Sequence, residues 1–189
     1  MKIFELYNQV LNEAEDNLFY HGSPHSFDKF DFNRIGSGDG LNKFGYGLYF
    51  ADDIQTAVYY AKELTIGDLK KNGYNIYTVK LFNLNEFYPW DAETPDNVMH
   101  CVLRKLNKLG ADDLIETITR EYEEYGTYWT IETLYSVLTH TLGNTKAVSE
   151  WLNICGCSGV IGDSPAHNGK VYTVYDDSYI KILNVEKLR

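Results

Sequence analysis

The feature that most constrains the fold is a change in hydrophobic periodicity along the chain. Segments typical of strands dominate the part before residue 90. A block with helical spacing of apolar residues follows at about residues 91–155, and strand-like segments then return. Strands, helices and strands again, without repeated strand–helix–strand alternation, favour an α+β fold over a doubly wound parallel sheet. We therefore predict an α+β fold with a helical insertion.

Individual elements follow from local patterns. Apolar runs bounded by glycine, proline or aspartate predict strands at residues 18–20, 46–50, 75–82, 158–161, 170–175 and 179–185. Ala57, Tyr60 and Ala61 share one face of a predicted helix that Asp52 or Asp53 can cap. The apolar stripes of the helical block are interpreted as core packing.

Length and charge limit the classes of function. A chain of 189 residues is expected to form a single domain, residues 1–189. Its 17 basic and 27 acidic residues give a formal charge of -10, which makes nonspecific nucleic-acid binding unfavourable. The chain has no apolar run of the roughly 20 residues that a membrane-spanning helix needs. We expect a soluble cytoplasmic protein without a membrane partner.

The three cysteines do not form a recognisable framework. Cys101, Cys155 and Cys157 are an odd number, and the spacing of the last two matches neither zinc-binding nor thioredoxin-like motifs. We predict that all three are reduced thiols and that the chain holds no metal cluster.

Residues 1–13 allow two interpretations. Ile3, Leu6, Val10 and their neighbours recur at helical spacing, which predicts an N-terminal helix packed on the domain. Alternatively, Leu11-Asn12-Glu13 resembles the cleavage signal of head-targeting leaders on internal proteins of large tailed phages. The second interpretation implies a phage-encoded protein, present in the host cytoplasm or packaged in the virion.

Two motifs carry a resemblance to a known family. Tyr20-His21-Gly22-Ser23 closes the first predicted strand, and residues 44–51 read Phe-Gly-Tyr-Gly-Leu-Tyr-Phe-Ala. Together they resemble the NAD-binding core of ADP-ribosyltransferases of the diphtheria-toxin and poly(ADP-ribose) polymerase type. The resemblance covers mainly residues 18–61 and, more loosely, 151–183. It implies a split β-sandwich with NAD as the co-substrate.

The resemblance implies roles for five residues. His21 corresponds to the histidine that hydrogen-bonds a ribose, and the Gly22 backbone to the group that binds the nicotinamide carboxamide; Ser23 completes that motif. Tyr49 and Tyr60 correspond to the two aromatic residues that enclose the nicotinamide ring. His21 also has a plainer interpretation as a core histidine, and Tyr49 and Tyr60 as core tyrosines in a chain with 16 tyrosines.

The third family motif is incomplete. The last catalytic strand of the family typically begins with glutamate, and the aligned residue here is Val171. An anion near the ribose stabilises the oxocarbenium-like transition state, so its absence matters. Asp163, just past a predicted strand, is our candidate for the missing carboxylate. The competing interpretation is a turn aspartate in Gly162-Asp163-Ser164-Pro165.

The sequence thus predicts a mono-ADP-ribosyltransferase that moves ADP-ribose from NAD to a macromolecular acceptor, which we expect to be a protein. His21, Tyr49 and Asp163 would be catalytic, and His21, Gly22, Ser23, Tyr49 and Tyr60 would bind NAD. Two alternatives remain open: a non-catalytic module that binds NAD or ADP-ribose, and an NAD glycohydrolase.

The leader interpretation has a direct test. If Leu11-Asn12-Glu13 is a processing signal, protein isolated from the virion should begin at Ala14. N-terminal sequencing or intact mass measures this. Isolated protein that still begins at Met1 contradicts the processing signal.

Overall fold

The computed structural model describes residues 18–35, 43–63, 73–125, 129–164 and 169–188. Residues 1–13, predicted to form an N-terminal helix or a leader, lie outside the described residues. The strands are β1 (Leu18–Ser23), β2 (Leu48–Ala51), β3 (Tyr74–Leu81), β4 (Phe87–Pro89), β5 (Gly159–Asp163), β6 (Lys170–Val174) and β7 (Ile180–Leu188). The helices are α1 (Ile54–Glu63), α2 (Asp96–Leu109), α3 (Asp112–Tyr125), α4 (Ile131–Leu142) and α5 (Thr145–Ile154). None of the described helices is long and apolar enough to cross a membrane.

The seven strands form one sheet in the order β4-β5-β6-β2-β1-β3-β7. Every neighbouring pair is antiparallel except β4 and β5, which are parallel. An antiparallel sheet can keep its helices in a separate block, because hairpin-type pairing needs no helical crossover. The sheet and the block of four helices agree with the predicted mixture of strands and helices.

The register assigns each side chain to one of two faces. Cα partners in neighbouring strands point to the same face, and successive residues alternate. Tyr49 is opposite Thr173, and Ala51 is opposite both Val171 and Tyr20, so these residues share what we call the Tyr49 face. Phe50 and His21 lie on the opposite side, which we call the His21 face; their ring centroids are 5.7 Å apart.

Different elements cover the two faces. The buried core on the Tyr49 face joins Val160 and Val171 to the apolar stripes of α2, α4 and α5. On the His21 face, buried aromatic and aliphatic residues form a second cluster: Phe19, Phe30, Phe50, Tyr77, Val79, Leu81, Phe87 and Val174. A third, smaller cluster lies beneath α1, where Ala57 and Ala61 pack with Ile76. The sheet is therefore buried on both sides near its centre.

Capping residues mark the ends of several helices. The Asp53 carboxylate accepts a hydrogen bond from the Thr56 amide at the start of α1, at 2.9 Å, so Asp53 is the capping residue of the two candidates. Thr130 and Asn144 cap α4 and α5 in the same way. Both α2 and α4 end at a glycine with positive φ.

The predicted strands are present with shifted ends, and one strand was missed. β4 has only three residues and ends in Pro89, so neither its length nor its composition indicates a strand. Its pairing with β5 places Phe87 opposite Gly159 and Pro89 opposite Ile161. A partner about 70 residues away in sequence supplies the pairing, which local patterns cannot show.

The prediction of three reduced cysteines is wrong for two of them. Cys101 in α2 and Cys155, directly after α5, form a disulfide with their Cα atoms 5.4 Å apart. Their separation of 54 residues follows no spacing rule, and they meet because α2 and α5 pack together. Cys157 is free and buried, and burial raises the pKa of its thiol to about 12.

Packing of the helical block against the sheet should dominate its stability. Leu106 of α2 is fully buried, whereas Leu109 on the same helix is 55% exposed. We expect Leu106→Ala to lower the free energy of unfolding by about 2–5 kcal/mol through lost burial and a residual cavity. Denaturant titration measures this loss, with Leu109→Ala as the matched control, expected to change it by less than about 0.5 kcal/mol. Equal losses in the two variants would contradict the burial of this stripe.

Candidate functional site

The candidate site lies where β1 and β2 diverge. Along its full length, β1 pairs with β3, from Leu18 opposite Lys80 to Ser23 opposite Asn75. Between the described residues of β1 and β2, the one paired position is Tyr20 with Ala51. Beyond it, the side of residues 21–23 that faces β2 lies outside the ladder, so the sheet is opened beside the His-Gly-Ser motif.

His21 bridges this opening. Its Nδ1 atom lies 2.8 Å from the backbone carbonyl oxygen of Tyr49 on β2. A carbonyl oxygen can only accept, so Nδ1 carries the proton and Nε2 of the neutral ring is left with an acceptor lone pair. Burial lowers the pKa of His21, which favours this neutral form. The ring is thus prepared to accept a hydrogen bond from a hydroxyl group.

Aromatic side chains surround the His21 ring. The centroids of Phe30, Phe50 and Tyr77 lie 5.1, 5.7 and 6.2 Å from its own. The segment after β1 is held in this position because the Tyr77 hydroxyl accepts from the Phe27 amide and donates to the His25 carbonyl. This packing restricts the ring to the orientation that its bond to Tyr49 requires.

Gly22 permits the close approach of α1 to β1. A Cβ atom at this position would lie 2.2 Å from the carbonyl oxygen of Ala57 and 2.6 Å from the Cβ of Ala61. Backbone oxygen cannot retreat without moving the helix, so any larger residue displaces α1. Gly22 therefore has a packing role beyond the backbone access to nicotinamide that the resemblance implies.

Ser23 ends the strand and shapes the turn after it. Its side chain is buried, and its hydroxyl accepts a hydrogen bond of 3.1 Å from the His25 amide. This bond is a typical turn contact of serine with the backbone two residues later. Ser23 thus stabilises the end of the His-Gly-Ser motif.

The Tyr49 hydroxyl binds the chain that precedes β2. It accepts from the Phe44 amide at 3.0 Å and donates to the Gly45 carbonyl at 2.7 Å. Burial raises the pKa of this hydroxyl, so it stays protonated at any physiological pH. Its hydrogen bonds make Tyr49 a structural anchor, and its backbone carbonyl at the same time orients His21.

Tyr60 projects from α1 towards the end of β5. Its hydroxyl hydrogen-bonds the side chain of Ser164, and burial raises its pKa. Tyr60 also makes a minor contribution to the raised pKa of Tyr49. The structure thus places Tyr60 on the helix that packs over Gly22, and Tyr49 on the same face of the sheet as Gly22.

Val171 and Asp163 lie on opposite faces of the sheet. Val171 is buried on the Tyr49 face, in the position that the family motif assigns to glutamate. Asp163 is the last residue of β5, opposite Lys170, with an exposed side chain on the His21 face. The Lys170 ammonium group bonds to the Asp163 carboxylate and lowers its pKa. By strand spacing, β5 lies about 14 Å from β1.

Three residues of this region were not predicted. Ser164 binds Tyr60, while Tyr135 and Ser149 of the helical block bind the backbone of Tyr46. The sequence contains a weak indication of Ser164 as a site residue, because it directly follows the candidate Asp163 in a turn sequence. The sequence contains no such indication for Tyr135 and Ser149, because their helical spacing places them among residues that we interpret as core packing.

Comparison with known proteins identifies a family over nearly the whole chain. No curated protein and no solved structure matches the sequence. One family model does match, that of the ADP-ribosyltransferase in polyvalent proteins, over residues 12–187. The match includes both motifs, the helical block and the strands that follow it. The chain therefore belongs to this ADP-ribosyltransferase family.

Proposed function

We propose that the protein is a mono-ADP-ribosyltransferase that uses NAD and modifies a macromolecular acceptor, most simply a protein. The observation that carries the proposal is the His21 bridge to Tyr49 across the opening between β1 and β2, next to Gly22, over which α1 with Tyr60 packs. Family membership supports ADP-ribosyl transfer as the chemistry. The formal charge of -10 favours an acceptor with a basic surface over nucleic acid.

The nicotinamide end of NAD would bind on the Tyr49 face. There the backbone of Gly22 lies outside the β1–β2 ladder and can hydrogen-bond a carboxamide. The rings of Tyr49 and Tyr60 would enclose the cationic nicotinamide, which aromatic faces attract. In the transfer, the bond between C1′ of the ribose and nicotinamide breaks, nicotinamide leaves with the electron pair, and an acceptor nucleophile bonds to C1′ and loses its proton.

His21 would position the ribose. With Nδ1 committed to the Tyr49 carbonyl, Nε2 is the acceptor for a ribose hydroxyl. Holding a hydroxyl at a set angle limits the rotation of the sugar and reduces the entropy lost on the way to the transition state. His21 therefore acts by orientation and does not need to transfer a proton.

We further propose that Asp163 supplies the anion that the family motif places at the position of Val171. Asp163 precedes Ser164, the partner of Tyr60, so the end of β5 adjoins the proposed site. Its ion pair with Lys170 is exposed, and such pairs contribute little to stability. Releasing the carboxylate from Lys170 would thus cost little free energy.

We also propose that the sheet corresponds to the split β-sandwich of the family. The single paired position between β1 and β2 divides the strand order into β4-β5-β6-β2 and β1-β3-β7. The proposed NAD site lies at this division.

Two other functions fit particular observations. Val171 in the place of glutamate favours a module that binds NAD without catalysis, and a glycohydrolase would need no acceptor surface. Incubation with NAD labelled in its ADP-ribose part, in a lysate of the host, separates the three. Labelled macromolecule indicates transfer, free ADP-ribose indicates hydrolysis, and retained but unreacted NAD indicates binding alone.

The role of Tyr60 can be tested by affinity. We expect Tyr60→Ala to weaken NAD binding by about 1–3 kcal/mol, or about 5- to 150-fold in Kd, because a stacking surface is lost. Tyr60→Phe keeps the ring and should retain most of the affinity. Tyr59→Ala, on the neighbouring and more exposed position of α1, is the matched control. If Tyr60→Ala and Tyr59→Ala bind NAD equally well, Tyr60 does not belong to the site.

The role of Asp163 can be tested by turnover. We expect Asp163→Asn to keep NAD affinity and to slow turnover about a hundredfold, because the charge that stabilises the cationic transition state is removed. Lys170→Met is the control, since it removes the same ion pair but keeps the carboxylate. Turnover is measured as nicotinamide release at saturating NAD.

The outcomes for Asp163 are distinct. A large loss in Asp163→Asn with little change in Lys170→Met supports the proposal, and adding Val171→Glu to Asp163→Asn should then restore part of the rate. Equal turnover in the two single variants would show that Asp163 serves only the surface ion pair.

A further inference from the structure

The backbone of residues 44–46, just before β2, is hydrogen-bonded from two sides. From the side of β2, the Tyr49 hydroxyl binds the Phe44 amide and the Gly45 carbonyl. From the side of the helical block, the Tyr46 amide donates to the Tyr135 hydroxyl at 2.8 Å. The Tyr46 carbonyl accepts from the Ser149 hydroxyl at 2.6 Å. Three consecutive residues thus form four hydrogen bonds with side chains.

The anchors in the helical block are themselves buried and hydrogen-bonded. Tyr135 of α4 is buried, and its hydroxyl also donates to the Thr145 carbonyl at the start of α5, at 2.9 Å. Ser149 of α5 is fully buried beside it. The Tyr135 hydroxyl therefore joins two helices and the 44–46 segment at one point, and its position is determined by helix packing.

Packing around the 44–46 segment is incomplete. On one side, the Tyr135 ring lies so close to Gly45 that a Cβ there would be 2.7 Å from the ring. On another side, a cavity of about 290 Å³ adjoins Gly45, Tyr46, Trp90 and Tyr135. The buried Phe44 ring holds the start of the segment, and where the cavity leaves the Gly45 and Tyr46 backbone without packing partners, hydrogen bonds limit its movement.

We propose that Tyr135 and Ser149 are positioning residues for the donor site. They hold the 44–46 segment, the segment holds the Tyr49 hydroxyl, and Tyr49 presents its ring to nicotinamide and its carbonyl to His21. The inference rests on the proposed function for its effect on NAD. It assigns a role in the site to the helical block, a part of the chain that contains none of the sequence motifs.

Tyr135→Phe is the critical variant, because it removes one hydroxyl and keeps the ring. Tyr175→Phe is the matched control: the Tyr175 hydroxyl is buried in the same cluster, and within the described part of the chain it has no hydrogen-bond partner. The first measurement is amide hydrogen exchange at Phe44 and Tyr46 by NMR. Phe44 is informative because Tyr135 does not bond to it, and its acceptor is Tyr49.

We expect Tyr135→Phe to speed exchange at both amides, and Tyr175→Phe at neither. A positioning role also predicts that Tyr135→Phe lowers kcat/KM for NAD by about three- to tenfold, the scale of one net hydrogen bond. That loss should largely disappear in a Tyr49→Phe background, because the link to the site is already broken. Ser149→Ala should behave as Tyr135→Phe does.

Unchanged Phe44 exchange in Tyr135→Phe would overturn the inference whatever the activity of the protein. Equal kcat/KM losses in the presence and absence of the Tyr49 hydroxyl would overturn it as well, because they indicate a general loss of stability. Wild-type protein that neither binds nor cleaves NAD would instead contradict the proposed function, while the exchange measurement would still decide whether the helical block positions Tyr49.

Discussion

The site depends on the hydrogen bond between His21 and the Tyr49 carbonyl across the opening between β1 and β2. A continuous ladder at this point would close the edge of the His-Gly-Ser motif, and a wider opening would lose the contact between the strands. Between the described residues of these strands, one paired position and the His21 bond join β1 to β2, and the β1 backbone beyond them lies outside the β1–β2 ladder. The same bond sets the tautomer of His21 and so determines which nitrogen can accept a ligand hydroxyl.

The two faces of the sheet contribute different parts of the site. The Tyr49 face holds Gly22, Tyr49 and Tyr60, and α1 can approach it because Gly22 has no side chain. The His21 face supplies the aromatic cluster that fixes the imidazole ring. A residue two positions along a strand stays on the same face, whereas its neighbour moves to the other. Asp163 and Val171 therefore lie on opposite faces, and a carboxylate at one position approaches the site from a different side than a carboxylate at the other.

The electrostatic character of the site is unusual for its proposed chemistry. Burial raises the pKa of both tyrosine hydroxyls and lowers that of His21, so all three groups are neutral near pH 7. Neutral groups can bind and orient NAD, but they do not compensate the charge of an oxocarbenium-like transition state. The anion has to come from the end of β5, from the acceptor, or from NAD phosphates. Whether one of these supplies it decides whether the protein is a fast transferase, a slow one or a binding module.

The sequence by itself determined the order of the helices and of the strands other than β4, and it carried the motifs at His21-Gly22 and Tyr49 that resemble the family whose model matches the chain. These features are local, because periodicity, capping and glycine-bearing motifs are written within a few neighbouring residues. Tertiary structure alone decided the opening between β1 and β2, the disulfide of Cys101 with Cys155, the β4–β5 pairing and the contact of Tyr135 with Tyr46. Each of these joins residues about 30 to 90 positions apart, and such contacts arise from the packing of whole elements, which leaves no short-range pattern in the chain.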